Sequence, residues 1–222
     1  DVEAQIALEE VVKVWRDSIN TALAGNDLET ADVRLQEAIS VLGEDPELIV
    51  LSLRLQNRYR AERILKSTQA LLTSHGLSDL PSAASAIQAY QEILRIAPRH
   101  TGAEQGLTEL SAHYIVLAKS AAESGEVNNA ISLLERASAA NNTLRALDDV
   151  RKLISQTATA QAAINELLVQ ARRLRADSLF ISPPGANAAE LYQRVLATDP
   201  NNMVALQGLN EVAAQVLNNV RG

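Results

Sequence analysis

Apolar residues recur along this chain at spacings of three and four, in runs cut by short clusters of Gly, Pro, Asn and Asp. That period places them on one face of an α-helix rather than on alternate faces of a strand. Leu8, Val11, Trp15, Ile19 and Ala22 form one stripe. Leu107, Leu110, Tyr114, Ala118 and Ala121 repeat its spacing, and Leu209, Val212, Val216 and Val220 begin it again. Breaks fall at Gly25-Asn26-Asp27, Gly43 to Pro46, His75-Gly76 to Pro81, Pro98, Gly125, Asn141-Asn142, Ser182-Pro183-Pro184-Gly185 and Asp199-Pro200-Asn201. Glycine supplies turn conformations, and the residue before a proline is pushed out of the helical region. The punctuation predicts nine helices, at 3–24, 28–42, 46–74, 82–97, 101–124, 127–140, 143–180, 186–198 and 202–220. The third and seventh are long, about 45–55 Å at 1.5 Å per residue. Leu51, Leu53 and Leu55 alternate as a strand would, but the surrounding helix formers and the absence of hairpin turns favour helix.

Two stretches are related. Pro81-x-x-Ala84-x-Ala86, Tyr90-Gln91, Leu94, Pro98, Ala103, Gln105-Gly106-Leu107 and Glu109 recur, shifted by 102 positions and without a gap. The second copy is Pro183-x-x-Ala186-x-Ala188, Tyr192-Gln193, Leu196, Pro200, Ala205, Gln207-Gly208-Leu209 and Glu211. More faintly, Ala31, Leu35 and Ala38 are matched by Ala130, Leu134 and Ala137. A four-helix unit thus occurs twice, over about 1–99 and 100–200, with a final helix at 202–220 opening a third round. Self-similarity of this kind predicts stacking, because a single unit cannot bury its own apolar stripe.

These residues resemble the tetratricopeptide-repeat (TPR) class, in which helix pairs carry small residues at their crossings and a proline after the second helix. Tyr114, Leu117, Ala118, Ala121, Gly125, Ala130, Leu134 and Ala137 look like one pair, with Asn142 where proline is usual; Trp15, Ala22, Ala31, Leu35 and Ala38 look like another. Ala86, Tyr90, Ile93 and Pro98, then Ala188, Tyr192, Val195 and Pro200, look like two second helices. The resemblance implies an all-α fold of stacked antiparallel helix pairs, a TPR-like α-solenoid forming one domain over 1–222 with two unusually long helices. The steps between Ala31, Ala86, Ala130 and Ala188 alternate between longer and shorter rather than holding the family's period of about 34 residues. The excess falls in the long helices and leaves a flatter or more globular stack open.

Composition narrows the choice of function. Aromatics make up 3% of the 222 residues, so stacking platforms for single-stranded nucleic acid are few. A formal charge of −7 repels nucleic acid and anionic lipid. The absence of cysteine removes disulfides and thiolate chemistry. The longest apolar stretch, near Leu48 to Leu55, is too short to span a bilayer and carries Arg54. No signal peptide is evident and the chain opens at Asp1, which we read as a processed or excised soluble region of a longer protein. The Arg-over-Lys bias and the Ala/Gln/Asn-rich repeats have a bacterial style, and the periplasm is favoured over the cytoplasm.

No catalytic, cofactor-binding or metal-ligating set emerges. His75, His100 and His113 lack partners at ligand spacing and read as surface or structural residues. Ser182-Pro183-Pro184-Gly185-Ala186-Asn187 has one glycine and no following Lys, so it reads as a rigid turn rather than a phosphate loop. Glu9-Glu10 and Asp148-Asp149 are adjacent on helices and point in different directions. Two basic clusters stand out instead: Arg54, Arg58, Arg60, Arg63 and Lys66 in the third helix, and Arg172, Arg173 and Arg175 in the seventh. Each suits an acidic peptide, a carboxyl terminus or a phosphate, against the plainer role of cations near helix C-termini and in ion pairs.

In the resembled family, first helices line a groove that receives a peptide or partner helix. Carried over, that surface would come from helices one, five and nine, with Arg16, Asn20, Lys119 and Glu123 beside the packing stripes. The Lys/Asn clamp by which some members grip a terminal carboxylate is not reproduced, since Lys119 answers to Asn20 and no second lysine follows in helix five. The expectation is a non-enzymatic interaction or scaffold module of a larger bacterial protein that binds a partner peptide or helix, and not nucleic acid. The alternatives are a structural spacer that self-associates through helix three, seven or nine, and a regulatory appendage of an enzyme encoded outside this segment.

Overall fold

Each break reads as a local device. The Asp45 carboxylate accepts from the Glu47 and Leu48 amides, and Pro46 fills the first turn, where a missing N–H costs nothing. Asp27, Asp79 and Asn187 cap three further helices by accepting from Thr30, Ser82 and Glu190. At the other end of a helix, Asn26, Gly125 and Ser178 adopt positive φ. The next amide in each case reaches back five residues: Asp27 to Ala22, Glu126 to Ala121 and Leu179 to Leu174. This is the Schellman closure, which satisfies carbonyls the helix leaves open.

The computed structural model describes residues 2–43, 45–77 and 79–221. Among them the chain forms nine α-helices and no strand. These are α1 (Val2–Ala24), α2 (Leu28–Leu42), α3 (Pro46–His75), α4 (Leu80–Ile96), α5 (Thr101–Glu123), α6 (Val127–Ala140), α7 (Ala146–Ala176), α8 (Ala188–Thr198) and α9 (Met203–Arg221). The protein is all-α, and α3 and α7 are its longest helices at 30 and 31 residues. The helix read at 143–180 is shorter than expected at both ends. Asn141 Oδ1 takes the Thr143 amide at 3.0 Å, an Asx turn that competes with helix, and Ser178 closes the C-terminus. Conversely, α4 starts two residues earlier than expected, because Asp79 caps it and Pro81 sits inside its first turn.

Contacts divide the chain into two compact units, Asp1–Tyr114 with Arg136–Leu144 and Ile115–Glu135 with Arg145–Gly222. The division runs through α5 and α6.

In the first unit α1 packs on α2, α2 on α3 and α3 on α4, while α1 also meets α3. Ile19, Ala31, Leu35, Ala38, Leu48, Leu51 and Leu55 form a core, with Trp15 against its edge. The small residues Ala31 and Ala38 let helix axes approach, and both are fully buried. The Leu51/Leu53/Leu55 alternation resolves helically: Leu51 and Leu55 are buried, while Leu53 is 58% exposed. The stripe on α1 is only partly used. Ile19 is fully buried, but Leu8 and Val11 are exposed, because the 15-residue α2 is too short to cover the 23-residue α1.

In the second unit α7 packs on α8, α8 on α9, and α7 also meets α9. Ile164, Leu168, Leu191, Tyr192, Val195, Ala205 and Val212 form its core. The 11-residue α8 again leaves part of a longer neighbour uncovered: Val220 of α9 is 80% exposed.

Positions 102 apart lie in matching local settings. Tyr90 and Tyr192 are both buried, and each ring lies over a helical glycine, Gly106 and Gly208 respectively. A Cβ at either glycine would fall 2.5 Å from a ring carbon, far inside van der Waals contact. His100 Nδ1 accepts from the Ala103 amide as Asn202 Oδ1 does from Ala205.

Candidate functional site

The α1–α3 face of the first unit gathers four of the residues singled out in the sequence. Arg16 Nη1 of α1 donates to Glu47 Oε2 of α3 at 3.1 Å, and Arg54 Nη1 of α3 reaches Asn20 Oδ1 of α1 at 3.5 Å. Arg16 and Asn20 are one turn apart, as are Arg54 and Arg58, so each pair shares a helix face. Two clefts share Asn20 and Arg54. One, of about 340 Å³, is lined by Arg16, Asn20, Glu47, Val50, Leu51 and Arg54. The other, of about 530 Å³, is lined by Asn20, Leu23, Arg54, Arg58 and the Ile96–Arg99 turn after α4.

The remaining candidates lie elsewhere. Arg63 is exposed and, nine residues beyond Arg54 at 100° each, points to the opposite side of α3. Arg60 on that helix pairs with Glu92 of α4 at 3.1 Å, a plain ion pair between neighbouring helices. Lys119 and Glu123 belong to the second unit and face each other along α5 at 3.8 Å. Arg172 and Arg173, also in the second unit, are exposed on α7, and the neighbouring Arg175 is bound to Glu211 of α9.

The histidines occupy structural settings. His100 is 3% exposed; its Nδ1 accepts the Ala103 amide at the start of α5, so its Nε2 carries the hydrogen and donates to Glu62 Oε1 at 3.2 Å. Asn26 Nδ2 donates to the same carboxylate oxygen at 2.8 Å, tying the α1–α2 turn, α3 and the start of α5 together. His75 ends α3 beside Ser74 Oγ and the Leu71 carbonyl. His113 is half-buried within α5. The Ser182–Asn187 stretch is a turn held from within: Asn187 Nδ2 donates to the Pro183 carbonyl, and the Gly185 amide donates to Glu190. Among the described residues no three His, Asp or Glu side chains are grouped as a metal site requires.

Sequence reasoning missed Arg99 and Glu47. Glu47 is legible only as a first-turn acid favoured by the α3 dipole. Arg99 follows Pro98 in a turn, and nothing local links it to Arg54 and Arg58, which lie more than forty positions earlier; the packing of α4 on α3 makes that link.

No helix among the described residues is long and apolar enough to cross a membrane. Comparison with protein-family models, with curated proteins and with solved structures returned no match for the chain.

Proposed function

We propose that this chain is a non-enzymatic, TPR-like interaction module and that the α1–α3 face of its first unit receives an acidic segment of a protein partner. The carrying observation is that Arg16, Asn20, Arg54 and Arg58, from two helices, line two adjoining clefts on a chain of net charge −7. A positive cleft on an acidic protein selects against most of its surroundings and steers an acidic partner to one place. The TPR-like reading is supported by packing order. In the first unit α1 packs on α2, α2 on α3 and α3 on α4, and in the second α7 packs on α8 and α8 on α9, while α1 meets α3 and α7 meets α9, as stacked helix pairs require. The shared Tyr-over-Gly contact in the two sequence copies supports it further. With α3 as the first helix of a second pair, the receiving face of the first unit belongs to α1 and α3.

The test is fluorescence anisotropy with a labelled Glu-rich peptide. A charge-assisted hydrogen bond contributes about 1.5–3 kcal/mol, so reversing Arg54 and Arg58 to Glu weakens binding by roughly tenfold or more. Arg63→Glu, on the opposite side of α3, leaves it nearly unchanged. Equal affinity in the reversed variant removes this face from the function.

A spacer that self-associates is the second reading. It is favoured by Ile49, Val50 and Leu53, all at least half exposed on α3; Ile49 and Leu53 also line a 490 Å³ cleft with Ile39 and Leu48.

A further inference from the structure

Resting on the docking reading of this face, we propose that Arg54, Arg58 and Arg99 form a subsite for a doubly charged oxyanion, the phosphoryl group of a phosphorylated side chain on the partner segment. The three guanidinium-bearing residues line one cleft of about 530 Å³, and no carboxylate-bearing residue is among those lining it. Five other arginines, Arg16, Arg60, Arg95, Arg151 and Arg175, pair with Asp or Glu. Among the described residues Arg54, Arg58 and Arg99 make no such pair, in a sequence where acids outnumber bases 27 to 20.

The plainer duty of an arginine beside a helix C-terminus is to bind its open carbonyls. Here the cleft includes Ile96 and Ala97 at the end of α4, yet none of the three arginines donates to a backbone carbonyl among the described residues. Among the described residues the one side-chain hydrogen bond of the trio is Arg54 Nη1 to Asn20 Oδ1, which leaves Asn20 Nδ2 as a further donor.

Arg99 is also held in place at a conformational cost. Its φ is 63°, in the left-handed region where a side chain is disfavoured, between Pro98 and the buried His100 whose ring is fixed by Glu62 and the Ala103 amide. Conformations of this kind close helices, as at Asn26 and Ser178, and also cluster at ligand clamps. Leu23, Ala24, Ile96, Ala97 and Pro98 supply an apolar wall for the stem of the residue that carries the anion.

Charge count decides between oxyanions. One bidentate arginine satisfies a carboxylate, which would leave two cations unmatched in the cleft. A phosphoryl group brings three acceptor oxygens and nearly two charges at neutral pH, and so matches three forks.

The experiment follows arginine Nε–Hε resonances of the whole chain by two-dimensional NMR. Inorganic phosphate, acetate and three five-residue peptides are titrated, alike except for a central phosphoserine, serine or glutamate. Expected are shifts at Arg54, Arg58 and Arg99 with phosphate at pH 7.5, and at least tenfold tighter binding of the phosphoserine peptide than of the glutamate peptide. Arg99→Gln should lose at least tenfold for phosphoserine with unchanged helical circular dichroism. Arg58→Lys, which keeps charge but not the planar fork, provides a second variant should Arg99→Gln fail to fold. Affinity should also fall as pH drops through about 6, where phosphate loses its second charge. Phosphate binding without gain from the peptide would assign the site to free phosphate and overturn the proposal, as would equal affinity for glutamate. Silence toward phosphate while the Glu-rich peptide still binds would overturn this subsite alone. Silence toward both would remove the docking reading as well.

Discussion

Replacing Gly106 by alanine sets two known effects against each other. Within a helix alanine is better than glycine by about 0.8–1 kcal/mol, so the change stabilises wherever space allows. At Gly106 the added Cβ would sit 2.5 Å from Cε2 and 2.8 Å from the hydroxyl of Tyr90. Tyr90 is only 3% exposed and its ring cannot leave without opening the core, so the backbones of α4 and α5 must part. Overpacking of this kind costs about 1–3 kcal/mol and exceeds the propensity gain at most of that range. The expected result is a net loss of up to about 2 kcal/mol, which corresponds to a drop of up to roughly 8 °C in melting temperature for a chain of this size. Gly208→Ala, facing Tyr192 in the second unit, should lose a similar amount. Gly102→Ala is the contrast: its Cβ would meet the end of the Leu65 side chain at 2.9 Å, which can rotate away. Urea and thermal unfolding followed by circular dichroism measure all three, and the Tyr90→Leu background should return most of the loss at Gly106. A raised melting temperature for Gly106→Ala would refute the close-packed contact.

Two further outcomes follow from the same contacts. Hydrogen bonds from Thr30 and Ser82 hold the Asp27 and Asp79 carboxyls below the usual range, and Arg95 does the same for Glu92. A depressed carboxyl stabilises the fold above its unfolded pKa and loses that contribution as pH falls through the folded value, so the urea midpoint should decline below about pH 4. Asp27→Asn, which still caps the helix, should flatten that decline, and an identical acid profile would refute the charge-linked part. The exposed Ile49, Val50 and Leu53 strip predicts concentration-dependent self-association that Leu53→Glu abolishes; a strictly monomeric sedimentation profile at high concentration removes the spacer reading.

The helices and most of their ends are legible in the residues themselves, because what starts and stops a helix is local. Asp45-Pro46, Gly25-Asn26-Asp27, Gly125 and Asp199-Pro200 each act through their own dihedral angles and nearest amides. Where the local pattern misleads, a side chain has captured the backbone, as Asn141 does with the Thr143 amide. The period of the apolar stripes is equally plain in the residues, and so is the pairing of Tyr90 with Tyr192. How much of each stripe is covered depends instead on the relative lengths of neighbouring helices, which is why Leu8 and Val220 face solvent in stripes whose centres are buried. The candidate site divides in the same way. Arg54 and Arg58 share a face by helical spacing alone, whereas Arg16, Asn20 and Arg99 join them only because α1 and α4 both pack on α3. Spacing within a helix is written into the chain, but neighbourhood between helices is set by which apolar surfaces find one another in the folded protein.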